Sequence, residues 1–185
     1  ITLVGKADAR ARVGRLDEAE AHVNATLAEA VKEGSHGYQA ELTVRLASIA
    51  AARKQTDQAL EALSRAAEFA EAAGGNRILA TIGLERGRLL REANRPGDAE
   101  RAYREGIAAS RSMGERLLLP RLLAQLADLQ LSRGRRAEAS ELLQEADDIL
   151  EGLLTNASSP LGARANPWKH GPSSVGADPS RGCGF

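Results

Sequence analysis

One alanine column constrains this chain more than any other feature: Ala19, Ala59, Ala99 and Ala139 recur every 40 residues without insertion or deletion. A fixed period of that length marks a stack of supersecondary units, each too small to bury its own apolar face and each dependent on its neighbours. Every one of the four alanines follows a polar break and a helix start: Gly14-Arg15-Leu16-Asp17-Glu18, Lys54-Gln55-Thr56-Asp57-Gln58, Asn94-Arg95-Pro96-Gly97-Asp98 and Gly134-Arg135-Arg136-Ala137-Glu138. Gly and Asn accept the left-handed backbone conformation that ends a helix, and Pro or acidic residues suit the first turn of the next one. Lys54 departs from the Gly/Asn pattern. A second break in the same register falls at Gly34, Gly74 and Gly114, with Leu154 in that place in the fourth unit. Each unit therefore divides into two helices joined by short turns.

Other columns keep the period. Along the second helices, Val23, Leu63, Tyr103 and Leu143 are large and apolar, and three positions further Thr26, Ala66, Gly106 and Ala146 are small. Spacings of three and four put these residues and the alanine column on one helical face. Along the first helices Ala7, Ala47, Gly87 and Ala127 are small, followed by Ala9, Ile49, Leu89 and Leu129. Small residues in both helices permit a close crossing.

This set of columns resembles the tetratricopeptide repeat (TPR) family. The second unit reads Leu46-Ala47, Ala59, Leu63, Ala66; the third Arg86-Gly87, Ala99, Tyr103, Gly106; the fourth Leu126-Ala127, Ala139, Leu143, Ala146; and the first Lys6-Ala7, Ala19, Val23, Thr26. Lys6 and Arg86 stand where the family usually has an apolar residue. The resemblance implies an all-α superhelix, a right-handed solenoid of about four hairpins, with repeats at about 1–35, 36–75, 76–115 and 116–155. A 40-residue unit exceeds the commonest 34, so its helices are longer. Such long repeats resemble those of large bacterial regulators and signalling proteins.

The last segment is different in kind. Four of the six prolines lie in residues 156–185 with several glycines and serines, a composition that cannot bury enough apolar surface to order itself. It is expected to be a disordered tail or linker. The chain opens at Ile1 without a Met or a visible signal sequence, and reads as a piece of a longer cytoplasmic protein.

Charge and composition then narrow the function. Twenty-five basic and 25 acidic residues cancel, which leaves no global field to draw nucleic acid or an anionic membrane. No apolar run approaches the length of a membrane span. Cys183 is the single cysteine, and His22, His36 and His170 stand apart from any metal-ligand spacing. The Gly74-Gly75 pair lacks the Lys-Ser/Thr of a phosphate loop and reads as a helix stop. No catalytic residue, cofactor or metal is expected.

What remains is surface. In TPR arrays the first helices line a concave groove that takes peptides or partner helices. By that resemblance the groove here comprises Asp8, Arg12, Glu41, Arg45, Ser48, Glu85, Arg88, Glu92, Arg121, Gln125, Asp128 and Ser132. The reading is of a non-catalytic interaction scaffold; the alternative is a ligand- or peptide-sensing region of a regulator. Against both stands the plain account that Asp8 with Arg12, Glu41 with Arg45 and Arg88 with Glu92, each four residues apart, only neutralise one another along their own helices. Arg45, Arg88 and Arg121 are the expected anchors, because a planar guanidinium pairs with carboxylates and stacks on aromatic rings. Finally, Leu142, Ile149 and Leu153 form a stripe on the last helix, expected to meet a following helix or to drive self-association.

Overall fold

The computed structural model describes residues 15–114 and 117–158, of which 156–158 by backbone alone. Asp8, Arg12 and most of the expected tail lie outside the described residues. Among the described residues seven helices follow in order: α1 Leu16–Lys32, α2 His36–Ala52, α3 Thr56–Ala72, α4 Asn76–Glu92, α5 Pro96–Ser112, α6 Leu119–Ser132 and α7 Arg136–Ser158. No strand occurs among the described residues. The helices α2, α4 and α6 are the first helices of their hairpins, and α1, α3, α5 and α7 the second.

The breaks read from the sequence are built the same way each time. Gly34, Gly74, Gly114 and Gly134 have φ between 64° and 77°, and Lys54 and Asn94 have φ of 64° and 57°. Around five of these residues the next amide reaches back five positions, as Ser35 N–H does to Ala30 C=O at 3.1 Å and Gly75 N–H to Ala70 C=O at 2.7 Å. This bond satisfies a helix-end carbonyl that would otherwise be orphaned, and it requires the left-handed residue before it. Lys54 adopts that conformation despite its side chain. Leu154, in the column of the stop glycines, does not break the chain, and α7 runs on through Ser158. The first three residues of the expected tail are thus helical.

Packing follows the columns. Ala19, Ala59, Ala99 and Ala139 are each 0% exposed, as is Tyr103. The third hairpin crosses most closely: a Cβ added at Gly83 would lie 2.6 Å from Gly106 Cα, and one at Gly87 would lie 2.3 Å from Tyr103 Cε1. Glycine is required at Gly83 because the backbone of the facing helix occupies the volume of a side chain, and at Gly87 because the Tyr103 ring does. Each hairpin leans on the next through its second helix, and successive first helices also touch, α2 with α4 and α4 with α6. The backbones of successive second helices stay apart, and only side chains such as Arg111, which reaches Glu145, bridge them. The result is a curved stack with first helices on the inner side and second helices splayed on the outer.

The junctions between hairpins alternate in chemistry. Glu20 of α1 and Glu100 of α5 share a column; Arg53 binds Glu20 and Asp17, and Arg133 and Arg135 bind Glu100. The Gln130 amide also donates to Glu100, at 3.1 Å. At the intermediate junction that column holds Leu60, half-buried against Leu90 and its neighbours.

The last helix corrects one sequence expectation. Leu142 and Ile149 are half-buried against the cluster that contains Leu122, Leu126 and Ala146, so they already have a partner inside the fourth hairpin. The uncovered stripe is one residue further round: Leu143, Leu150 and Leu154 are exposed. Leu143 is 38% exposed, whereas Leu63 and Tyr103 of the same column are at most 1%. One residue is a rotation of about 100°, enough to exchange the covered face for the open one. Among the described residues no helix is long and apolar enough to cross a membrane.

Candidate functional site

The inner surface is assembled by α2, α4 and α6, whose expected groove residues recur in register. Glu41 and Arg121 share one column, Arg45, Glu85 and Gln125 another, Ser48, Arg88 and Asp128 a third, and Glu92 and Ser132 a fourth. The fold brings four of them into one place. Ser48 from α2 and Glu85, Arg88 and Glu92 from α4 line a depression of about 430 Å³ together with Ala51, Ala52 and Lys54. The alanines leave the space open, and the charged side chains of the neighbouring helix rim it.

Arg88 is the centre of this site. Its Nε donates to Glu85 at 3.2 Å and its Nη1 to Glu92 at 2.7 Å. Burial works against its charge, but the two carboxylates outweigh burial and raise its pKa above the ordinary guanidinium value. The guanidinium therefore sits charged and pre-aimed between two acids spaced one turn to either side. Ser48 is exposed, and its hydroxyl donates to Val44 C=O of its own helix at 3.1 Å, which leaves its oxygen lone pairs to accept. Beneath this surface the Tyr103 hydroxyl is buried with no hydrogen-bond partner among the described residues. Burial raises the phenol's pKa, with Arg91 and Arg88 pulling the other way.

Other expected groove residues are used differently. Glu41 accepts from Arg77 of the next first helix at 2.9 Å, a partner 36 residues away that the spacing along its own helix did not offer. Asp128 stands 4.0 Å from Arg91 of the preceding first helix. These two pairs tie consecutive first helices across the inner face. Arg121 is exposed and makes no ion pair among the described residues. Arg45 is half-buried, Gln125 is half-buried, and Ser132 donates to Leu129 C=O at 2.7 Å. Arg45, Arg88 and Arg121 do not line a common depression. Lys54, Ala51 and Ala52 complete the site that does form and are absent from the sequence expectation; the only signal for them is the run of small residues at the end of α2.

The outer surface carries further space. Arg86, the charged residue in a column otherwise apolar in the second and fourth repeats, enters the gap between α3 and α5, where it reaches Ser64 and Glu105. A cleft of about 480 Å³ opens between α5 and α7. Among the described residues, no group of three or more His, Cys, Asp or Glu side chains is placed to hold a metal ion.

Comparison with known proteins bears on the fold. No family model matches this chain, and no curated relative does. The crystal structure of BtubC (BKLC) from P. vanneervenii is similar with a TM-score of 0.69 at 19% identity, over 94% of this chain and 68% of that one. The crystal structure of MamA is similar with a TM-score of 0.62 at 18% identity, over 83% of this chain and 79% of that one. The fold is a TPR-like helical solenoid.

Proposed function

We propose that the chain is a non-catalytic docking scaffold that binds a protein segment along its inner surface, with the Arg88 depression as the principal contact. One observation carries this reading: two successive first helices place Ser48, Glu85, Arg88 and Glu92 around one open depression of about 430 Å³, a volume that suits a peptide side chain and its neighbours. The chemistry fits recognition. A charged arginine held in a fixed fork presents bidentate donors to a carboxylate, and the pairs it must exchange contribute only a few tenths of a kcal/mol each on an exposed helix. Glu85 and Glu92 then select against a segment that carries acid on both sides of the contact. Glu41–Arg77 and Asp128–Arg91 keep the first helices in register while the groove is filled.

Phage display of random peptides against the whole chain supplies the probe, and titration calorimetry of a selected peptide reads the site. Arg88→Ala is expected to weaken a groove-binding peptide by about tenfold or more, since a central arginine truncation commonly costs above about 1.4 kcal/mol. Arg65→Ala, on the outer side, is expected to leave affinity within about twofold. Equal losses from both variants, or loss from Arg65→Ala alone, refute the inner-surface assignment.

A further inference from the structure

The second helices leave a cleft between α3 and α5 and another between α5 and α7, each floored by the first helix between them, and the two can be compared position by position. Between α3 and α5 the cleft is crossed by Arg86, whose guanidinium lies 3.4 Å from Ser64 Oγ and 3.6 Å from a Glu105 carboxylate oxygen. Arg86 lines two separate spaces there, of about 270 and 180 Å³. Forty residues on, its place is taken by Leu126 and that of Gly83 by Leu123. No side chain then divides the gap, which Arg111 crosses only at one end to reach Glu145, and the cleft between α5 and α7 is one space of about 480 Å³. Its floor is apolar, formed by Leu123 and Leu126 with Ile107 and the half-buried Leu142.

We propose that this outer cleft is a second docking site, for an amphipathic peptide that lays aliphatic side chains over Leu126 and Leu142 and sets a Lys or Arg against Glu141. The assignment does not depend on the inner groove. Charge selects the occupant. The α7 edge presents Glu138, Glu141 and Glu145 at spacings of three and four, one face of the helix, and the α5 edge presents Arg104 and Arg111. Both arginines are already engaged: Arg104 binds Glu100 at 2.7 Å, and Arg111 spans the cleft to both oxygens of Glu145, each at 2.7 Å. Glu138 has Arg135 at 3.8 Å. Glu141 has no ion pair among the described residues. Glu141 is therefore the rim carboxylate left open to a basic side chain of an occupant, and it stands beside the apolar floor.

The length of the trough sets the size of the inserted segment. Its two ends are marked by the Glu100–Arg104 pair and the Arg111–Glu145 pair, seven residues apart along α5, or roughly 10 Å at 1.5 Å per residue. That span matches two aliphatic side chains one turn apart on a short helix, with the basic residue on the flank that faces α7.

The test uses the whole ¹⁵N-labelled chain and a synthetic helical peptide of about 12 residues with Leu at i and i+4 and flanking Lys. Two relatives serve beside it, one with Glu for Lys and one with Ser for Leu. The expected result is amide shifts along residues 123–126 and 138–145, with the Lys peptide about fivefold or more tighter than the Glu peptide and the Ser peptide unbound. Glu141→Lys, an exposed substitution, should reverse the order of the Lys and Glu peptides. Leu126→Arg should block the cleft as Arg86 does its counterpart; the Glu141 reversal stands alone if that variant does not fold. Equal affinity for Lys and Glu peptides, shifts confined to α2 and α4, or no shifts at about 1 mM peptide would each overturn the proposal. Arg88→Ala should leave this titration unchanged, so failure here and failure of the inner groove read separately.

Discussion

Replacing Gly87 with alanine drives a methyl group into the ring of Tyr103. The added Cβ would stand 2.3, 2.5 and 2.7 Å from Cε1, Cδ1 and Cζ of a fully buried ring, against about 3.5–4.0 Å for ordinary carbon contacts. In an unobstructed helix the same change stabilises by about 1 kcal/mol. Here the ring must move by more than an ångström in a packed junction, which costs up to about 3 kcal/mol, so Gly87→Ala should be destabilising by about 2 kcal/mol. The sequence indicates a rescue. In the second repeat the equivalent pair is Ala47 with Leu63, both buried in one cluster. Tyr103→Leu alone should cost about 2–4 kcal/mol, because it leaves the hollow over Gly87 unfilled. In that background Gly87→Ala should instead gain about 1 kcal/mol, a coupling of about 3 kcal/mol between the two positions. Urea unfolding followed by circular dichroism measures all four corners of the cycle, with matched m-values required before the free energies are compared. Gly97→Ala is the control: nothing lies within 4 Å of its added Cβ, and it should gain roughly 0.5 kcal/mol. Additive effects within about 0.5 kcal/mol, or a Gly87→Ala gain equal to the control, would refute the exchange of volume between the two columns.

Three further outcomes follow from particular residues. Lys54 holds φ at 64° where other turns have Gly or Asn, so Lys54→Gly should raise stability by about 0.5–1 kcal/mol, less the entropy glycine adds to the unfolded chain; thermal melts that fall would contradict it. Tyr103→Phe removes a buried hydroxyl that has no partner among the described residues, so it should be neutral or stabilising by up to about 1 kcal/mol, and a loss above that would reveal a bond to the hydroxyl. Burial works to raise the Glu100 carboxyl, but the Gln130 amide and Arg104, Arg135 and Arg133 overcome it and hold the pKa below the ordinary value. A depressed folded pKa gives stability that is present above the unfolded value, near pH 4.3–4.5, and lost as pH falls through the folded one. Glu100→Gln should flatten that acid limb in denaturation curves recorded from about pH 6 to pH 2, and an unaltered limb would exclude the cluster as its source.

The helices and their ends were legible in the chain because they are decided locally. A stop needs one left-handed residue and one six-residue hydrogen bond, and a helix face needs only the spacing of three and four, so Gly34, Gly74 and the alanine column announce themselves without any long-range partner. Local spacing also located ion pairs along one helix, and Arg88 does pair with Glu85 and Glu92 as their spacing implies. Tertiary structure decided the rest. Glu41 pairs with Arg77 of the next repeat, and the open stripe of α7 is Leu143, Leu150 and Leu154 in place of Leu142, Ile149 and Leu153. Sequence spacing locates partners along one helix, whereas these contacts depend on the rotation of each hairpin against the next. That rotation is set by summed side-chain volumes, such as Gly83 against Gly106 in one unit and Leu123 in the other. One column records that Arg86 stands in one cleft and Leu126 in the next, but that Arg86 turns across its cleft toward Glu105 is settled by the direction its long side chain finds free of its neighbours.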